Sequence, residues 1–505
     1  MSLQSRLIKL YYSQRIKEID KFRRSALEVA ENQYSYLLKL LSQTQYGEER
    51  GVKEGLSYRD FTSKIPVVTY EDISTEIEAV VRGEWQRLCP SKPKWFAKSS
   101  GTTNAVSKFI PTTDEALNYT HYRGTKDVAA IYSHLFPNGA AMDGKVLTLG
   151  GSLVNNPEDK ESVIGDLSGI LITNTPSILD FKRFPTEQIA LDSNFERKIA
   201  KIASLSVKQN VTSFAGVPSW YLILMNSILD YTGKSNMYEI WPNMSLFAHG
   251  GMSFTPYKDS YKKLFPSEKM CYIETYNASE GFFAIGDDLS RDDMLLMLDY
   301  RVFYEFLECS EIGSFSEVIP LEGVEVGKNY AMIITTAGGL WRYMIGDTVT
   351  FTSTSPYRIK ITGRTKHFIN IAGEEVIVDN AERAILEACK ATDSEVLEYT
   401  AAPIFMEGRN KGRHEWVFEF KRLPNSLDKF IEVLDNTLQS INSDYSVKRV
   451  GGALDCPKIV VAGSGTFYNW MKKRGKLGGQ NKIPRLSNDR KYIDTLLENI
   501  LQGEF

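Results

Sequence analysis

The stretch Met270-Cys271-Tyr272-Ile273-Glu274-Thr275-Tyr276-Asn277-Ala278-Ser279-Glu280-Gly281 decides the reading of the fold. It opens as a short apolar run and breaks into small and polar residues, the pattern of a buried strand that ends in a loop. The pattern recurs on both sides of it. Lys145–Leu149, Gly169–Thr173, Ser245–Ala248 and Tyr330–Thr335 read as further buried strands, most of them followed by Gly or polar residues. Helical periodicity fills some of the gaps, over Asn194–Lys208 and Ser219–Tyr231. This alternation predicts an α/β domain. In such sheets, ligands bind where loops leave the carboxyl ends of strands.

Further out, residues 1 to about 45 read as helix. Leu7, Ile8, Tyr11, Tyr12, Ile16 and Ile19 recur at three- and four-residue steps with charges between them. A second, smaller unit is expected to begin near residue 367. Asp379 followed by Glu382 has capping-box spacing and predicts a helix through about Ala391. Strand-like runs at Glu395–Ala401 and Glu415–Lys421, a helix at Leu427–Ile441, a strand at Lys458–Val461 and a basic tail complete an α+β pattern. The chain is thus expected to divide into residues 1–366 and 367–505, both of ordinary domain scale.

Composition narrows the function class. The 505 residues carry 60 Lys and Arg against 63 Asp and Glu, a net charge of −3. A protein that coats a nucleic acid is far more basic, so no nucleic-acid partner is expected. No apolar run approaches the roughly 20 residues a membrane helix needs. Charges interrupt the N-terminal apolar residues early, which argues against a secretory signal. The five cysteines include no CxxC pair, and the five histidines lack metal-ligand spacing. A cytoplasmic location is the default for such cysteine usage.

Three segments carry candidate chemistry. In Lys98-Ser99-Ser100-Gly101-Thr102-Thr103-Asn104-Ala105-Val106-Ser107-Lys108, small residues let backbone N–H groups approach an anion, hydroxyls donate to phosphate oxygens, and two lysines add charge. It is not a Walker A loop, because no GK[ST] follows at the required spacing. In Glu274–Gly281, a strand end with an aromatic, an amide and a carboxylate can pack a base and hold Mg²⁺, which prefers one or two carboxylates plus phosphate oxygens. In Trp341-Arg342-Tyr343-Met344-Ile345-Gly346-Asp347, an Asp at a strand end can take both hydroxyls of a ribose. Gly363-Arg364-Thr365-Lys366 follows at the expected domain boundary. Each alone also reads as an ordinary polar turn.

Together and in this order, these segments resemble the adenylate-forming enzymes. They are most similar to the Gretchen Hagen family of acyl acid–amido synthetases, known from plant auxin and jasmonate conjugation and also found in bacteria; a bacterial-type member is the expectation. The family's phosphate loop matches Ser99, Ser100, Gly101, Thr102 and Thr103, with Lys108 and Pro111 downstream. Its Tyr-x-Ala-Ser-Glu-Gly matches Tyr276, Asn277, Ala278, Ser279, Glu280 and Gly281. Its third motif matches Trp341–Asp347, and its Gly-Gly-Met segment matches Gly250, Gly251 and Met252 after His249.

The resemblance implies a large N-terminal adenylate-forming domain, with stacked β-sheets flanked by helices, and a smaller mobile α+β domain. It implies a two-step reaction. An acid carboxylate attacks the α-phosphate of ATP, giving an acyl adenylate and pyrophosphate; an amino-acid amine then displaces AMP. In that scheme Ser99–Thr103 and Lys108 hold phosphates, Glu280 holds Mg²⁺, and Asp347 holds the ribose. Gly250–Met252 border the adenine and the acid, and Lys366 falls at the hinge beside Arg364. The partners are a small carboxylic acid and an amino acid, the protein acting as a monomer or weak homodimer.

The segment Phe467–Lys491 holds eight Lys and Arg against one Asp. Within it Gly478-Gly479-Gln480-Asn481-Lys482-Ile483-Pro484-Arg485 resembles the stretch that gives adenylating enzymes their catalytic lysine, which makes Lys482 the candidate. Two departures stand out. Trp341 and Met344 replace a Tyr and an Arg of the third motif, although Arg342 keeps one guanidinium there. Asn104-Ala105 replaces an acidic-Gly pair at the loop tip. No residue declares itself as base for the amine step; His249 is nearest by motif, and an amine arriving already deprotonated is an equal alternative. An acyl-CoA ligase shares the adenylation step, and a nucleotide-binding protein without turnover is a further reading prompted by Met344.

Overall fold

A computed structural model describes residues 3–99, 108–251, 254–309, 318–364, 368–369, 371, 374, 376–405, 411–450, 452, 454–475, 483–487 and 490–501. In chain order, the larger unit contributes β1 (Trp95–Ser99), β2 (Lys108–Thr112), β3 (Lys145–Leu147), β4 (Leu153–Asn155), β5 (Val163–Gly165), β6 (Arg183–Phe184), β7 (Val211–Gly216) and β8 (Leu246–Gly250). There follow β9 (Cys271–Ala278), β10 (Gly281–Ile285), β11 (Met294–Leu296), β12 (Val302–Glu308), β13 (Ile319–Pro320), β14 (Asn329–Thr336), β15 (Tyr343–Thr354) and β16 (Tyr357–Arg364). The smaller unit holds β17 (Phe368–Ile369), β18 (Val376–Ile377), β19 (Glu395–Ile404), β20 (Arg413–Arg422) and β21 (Lys458–Ala462).

Twelve strands form one sheet in the order β13-β12-β14-β15-β16-β11-β10-β9-β8-β7-β3-β6. Its β6-β3-β7-β8-β9 part is parallel and the remainder antiparallel. Helices Pro218–Thr232 and Lys258–Leu264 make the crossovers into β8 and β9, which is why these neighbours run parallel. A second sheet, β2-β1-β5-β4, belongs to the same unit. Parallel strands are covered on both faces, so they read as continuous apolar runs. In β8, Leu246 and Ala248 enter one core while Phe247 enters the other, stacked on Phe214 with centroids 4.2 Å apart.

In the smaller unit β19-β20-β21 form a three-stranded sheet. Trp416 and Phe418 of β20 face one core with helices Val378–Thr392 and Leu427–Ile441; Val417 faces another with Phe467, Trp470 and Ile493. The protein is therefore mixed α/β, with a large N-terminal unit and a smaller C-terminal α+β unit.

Three sequence expectations need correction here. Gly169–Thr173 is the body of helix Leu167–Thr173, not a strand. Periodicity cannot separate so short an apolar run, and Gly169 packs close against the Gly151 carbonyl. The N-terminal helix is two helices, Leu3–Arg24 and Ala26–Leu41, parted at Ser25. They serve different layers: Arg15 of the first pairs with Asp127 and Asp299, while the second packs along β12. Asp379 and Glu382 do not cap their helix, which already begins at Val378; Asn380 Oδ1 accepts from the Ile377 N–H at 3.3 Å. Part of the basic tail is taken up in ion pairs. Arg485 pairs with Glu398 at 2.5 Å, Arg490 with Glu415 at 2.7 Å, and Lys472 with Glu196 of the larger unit at 2.6 Å.

Candidate active site

The carboxyl ends of β7, β8 and β9 lie at one edge of the parallel sheet. There β8 ends in His249-Gly250 and β9 in Tyr276-Asn277-Ala278. Gly250 is required by close approach: a Cβ there would stand 2.4 Å from the Thr275 carbonyl oxygen on the paired strand. Gly251 follows with φ +79°, a conformation open chiefly to glycine.

The second motif is more ordered than a loop. β9 runs through Ala278, which pairs with Gly281, so Ser279 and Glu280 form the two-residue tip of the β9–β10 hairpin. Ser279 is buried, and Glu280 is partly exposed. The carboxylate thus stands at the sheet edge on a short, well-anchored turn.

The third motif meets the second directly. The Tyr276 hydroxyl donates to Asp347 Oδ2 at 2.7 Å, both side chains being buried. Asp347 is not at a strand end, as its motif suggested, but inside β15, after Gly346 with φ +88°. Its register partner is Arg364, the last residue of β16. Tyr276, Asp347 and the Arg364 backbone, 88 residues apart at the extremes, therefore share one corner.

Arg342 and Trp341 of the third motif face elsewhere. Arg342 is buried with φ +47°. Its Nε donates to both oxygens of Glu305 at 3.0 Å, and its Nη1 donates to the Ile65 carbonyl at 2.7 Å. It cannot supply the charge that Met344 lacks at the site. Trp341 is likewise a core residue, its indole N–H donating to the Leu88 carbonyl at 2.8 Å. Glu305 was missed in sequence because nothing in its own segment marks it as a partner.

The first motif is framed by β1 and β2, whose register closes at Ser99 opposite Lys108. The Lys108 ammonium lies 5.2 Å from the Tyr70 ring centroid. Beyond β2, Thr113 donates to the Ala337 carbonyl at 3.3 Å, anchoring the hairpin to the turn that leads into the third motif. Ser100, Gly101, Thr102, Thr103, Met252, Lys366 and Lys482 lie outside the described residues, so their positions in the site are not part of this geometry.

Electrostatics at the β8–β9 step are unusual. Burial and the nearby Lys258 lower His249 to about 3, so its imidazole is neutral at physiological pH. Glu274, its register partner, is shifted upward by burial, with Asp292 adding to the rise and Lys258 and Lys360 opposing it.

Three family models cover most of the chain: the GH3 family N-terminal domain matches residues 15–270, the central domain 295–364, and the C-terminal domain 379–491. An indole-3-acetic acid-amido synthetase, GH3.4 of Arabidopsis thaliana, is 24% identical over 97% of this chain and 94% of its own length. The solved structure of the AtGH3.15 acyl acid amido synthetase in complex with 2,4-DB superposes with a TM-score of 0.79 at 18% identity, covering 96% of this chain and 95% of that one. A 2-hydroxyisobutyryl-CoA ligase in its postadenylation state superposes less closely, with a TM-score of 0.56 at 14% identity over 92% of this chain and 91% of that one. With its N-terminal model alone matching half of the sequence and the two others following in order, the chain belongs to the GH3 family.

Proposed function

We propose that the protein is an ATP-dependent acyl acid–amido synthetase, which adenylates a carboxylic acid and transfers the acyl group to an amino-acid amine. The observation that carries the reading is the Tyr276–Asp347 bond at the carboxyl edge of the parallel sheet, which joins two nucleotide motifs lying 71 residues apart. Family membership supports it.

ATP and the acid are both anions, so their approach needs fixed positive charge and donors. In this reading Asp347 takes the ribose hydroxyls, its rotamer held by Tyr276. Ser99–Thr103 and Lys108 hold the β- and γ-phosphates. Gly250, Gly251 and Met252 border the adenine and the acid. Lys482 reaches the α-phosphate or the acid carboxylate from the smaller unit. The protein's part is mainly positioning, which lowers the barrier by aligning reactants. The unit boundary falls at residue 366, with Arg364 and Lys366 at the hinge; the central family model stopping at 364 and the C-terminal one starting at 379 support this.

Glu280 fits a Mg²⁺ that arrives with the nucleotide. It is one partly exposed carboxylate at a hairpin tip, and among the described residues no group of three or more metal-ligating side chains gathers. Mg²⁺ of that kind takes one or two carboxylates plus phosphate oxygens. When bound, it offsets charge on the phosphates.

An acyl-CoA ligase is the second reading, prompted by the CoA ligase likeness. No helix among the described residues is long and apolar enough to cross a membrane. A cytoplasmic enzyme, monomeric or weakly dimeric, is the setting we propose. Exchange of labelled pyrophosphate into ATP, dependent on an added acid, tests the site. Glu280→Ala and Lys482→Ala are each expected to reduce exchange at least about 100-fold; unchanged exchange in both overturns the assignment.

A further inference from the structure

The amide-forming step needs an amine without its proton, and amino acids at neutral pH carry ammonium groups. Among the described residues of the nucleotide motifs the carboxylates are Glu280, given above to Mg²⁺, and Asp347, given to the ribose. One step back along the same strands, two side chains form an unused pair. His249 on β8 and Glu274 on β9 are register partners on parallel neighbours, so both leave the sheet on the same face.

Their surroundings are specific. The His249 ring lies on Phe254, centroids 4.1 Å apart and planes 24° from parallel, and is 3% exposed. Its Nδ1 has no hydrogen-bond partner among the described residues. A buried polar atom without a partner is costly and calls for an explanation. Glu274 is partly buried beside it; its main chain is bonded in the sheet and its carbonyl accepts from the Gly286 N–H at 2.8 Å, but its carboxylate makes no hydrogen bond or ion pair among the described residues.

The charged groups around the pair come from three elements. Lys258, from the helix Lys258–Leu264, acts on both His249 and Glu274. Lys360 of β16 acts on Glu274 but is held by Asp292 at 2.7 Å, and Asp292 acts on Glu274 in turn. Asp379, from the first turn of helix Val378–Thr392 in the smaller unit, also lies in the field of Lys360. The pair lies next to Gly250, and Lys360 acts both on Glu274 and on the smaller unit's Asp379. No cation is bonded to Glu274 among the described residues.

We propose that Glu274 and His249 form the acceptor-amine site, Glu274 as the base and His249 as the hydrogen-bond acceptor that orients the nitrogen. In its Nε2–H tautomer the neutral His249 presents Nδ1 as an acceptor, and with the Glu274 carboxylate it is complementary to an ammonium, which has donors and no acceptor. The ammonium transfers one proton to the Glu274 carboxylate. The freed lone pair attacks the acyl carbonyl, a C–N bond forms, and the C–O bond to the phosphate breaks. The second nitrogen proton leaves with the AMP phosphate. The partial burial that raises Glu274 also makes it a stronger base than an exposed carboxylate.

This inference rests on the synthetase reading, and the two are separable by half-reaction. Acid-dependent pyrophosphate exchange needs no amine; amide formation does. In Glu274→Gln, exchange is expected to stay within about threefold of wild type, because the carboxylate has no part in adenylation. Amide formation with an amino acid is expected to fall about 100-fold or more, the usual scale for loss of a general base. Hydroxylamine, which is largely unprotonated at neutral pH, is expected to keep forming hydroxamate at near wild-type rate. The residual amino-acid reaction is expected to rise with pH as free amine accumulates, whereas Glu274→Asp restores part of the wild-type profile. His249→Phe keeps the stacking on Phe254 and is expected to raise KM for the amino acid more than it lowers kcat. Equal losses of exchange, hydroxamate and amide in Glu274→Gln would overturn the proposal, and so would unimpaired amide formation. Absence of acid-dependent exchange in the wild type would instead overturn the synthetase reading itself, and this inference with it.

Discussion

Replacing Arg342 by Met should unfold the larger unit more easily without removing its chemistry. The motif places Arg342 among nucleotide-binding residues, whereas its contacts are all internal. Its side chain is 5% exposed and that of Glu305 1%. Arg342 Nη2 donates to Glu305 Oε1 at 2.9 Å in addition to the two Nε bonds, and Tyr58 donates to the same oxygen at 2.8 Å. In Arg342→Met the Glu305 carboxylate would keep only the Tyr58 phenol. Stranding one member of a buried pair costs about 3–5 kcal/mol, and the Ile65 carbonyl loses a donor worth about 1 kcal/mol. Arg342→Met/Glu305→Leu removes both charges and should recover most of the loss, to within about 2 kcal/mol of wild type. A chain of this size unfolds in more than one step, so the urea transition of the larger unit is the one to follow, by tryptophan fluorescence. Pyrophosphate exchange by the folded fraction should stay within about threefold of wild type in both variants, since neither residue contacts the site. A drop of about 100-fold in exchange with an unmoved urea midpoint would refute the reasoning, because it would make Arg342 a ligand contact.

Three further outcomes follow from the same geometry. Tyr276→Phe removes a hydrogen bond to a carboxylate, worth about 1.5–3 kcal/mol, and should raise KM for ATP roughly 10- to 100-fold while the fold persists; an unchanged KM would detach Asp347 from the ribose. Gly250→Ala pushes a methyl against the Thr275 carbonyl and should destabilise by about 1–3 kcal/mol and depress exchange; full activity would show that the strand end yields freely. His121 is lowered by burial to about 4. Its depressed value gives stability that is present above the ordinary histidine value near 6.5 and is lost as pH falls towards 4. His121→Leu should therefore flatten the fall of stability over that window by about 1.4 kcal/mol per pH unit; parallel urea midpoints for variant and wild type across it would contradict the assignment.

Much of the parallel half was legible because burial on both faces writes itself as an apolar run. β8 and β9 were found this way; in the smaller unit the helix Leu427–Ile441 was found instead by period, its Phe430, Leu434 and Leu438 recurring on one stripe. Gly169–Thr173 was misread because a run of three large apolar residues, Ile170, Leu171 and Ile172, suits a strand and a buried helix equally. The motifs named candidate site residues, yet not which of them meet. Asp347 lies inside β15 beside Gly346, which takes a positive φ within the strand, and its bond to Tyr276 spans 71 positions with no local trace. Arg342 looks like a ligand residue in its motif, and becomes structural only because Glu305 and Ile65 arrive from distant segments. The partners of the basic tail were equally out of view: a charge run shows its own sign but not the carboxylates, partly buried Glu398 and buried Glu415, that take up Arg485 and Arg490.

The most direct test of the central claim is AMP release by the purified chain with ATP, Mg²⁺ and a panel of carboxylic acids, with amino acids or CoA added separately. The account predicts that at least one acid supports pyrophosphate exchange and that amino acids, not CoA, then stimulate AMP release, with the amide detected by mass. AMP release stimulated by CoA alone would contradict it.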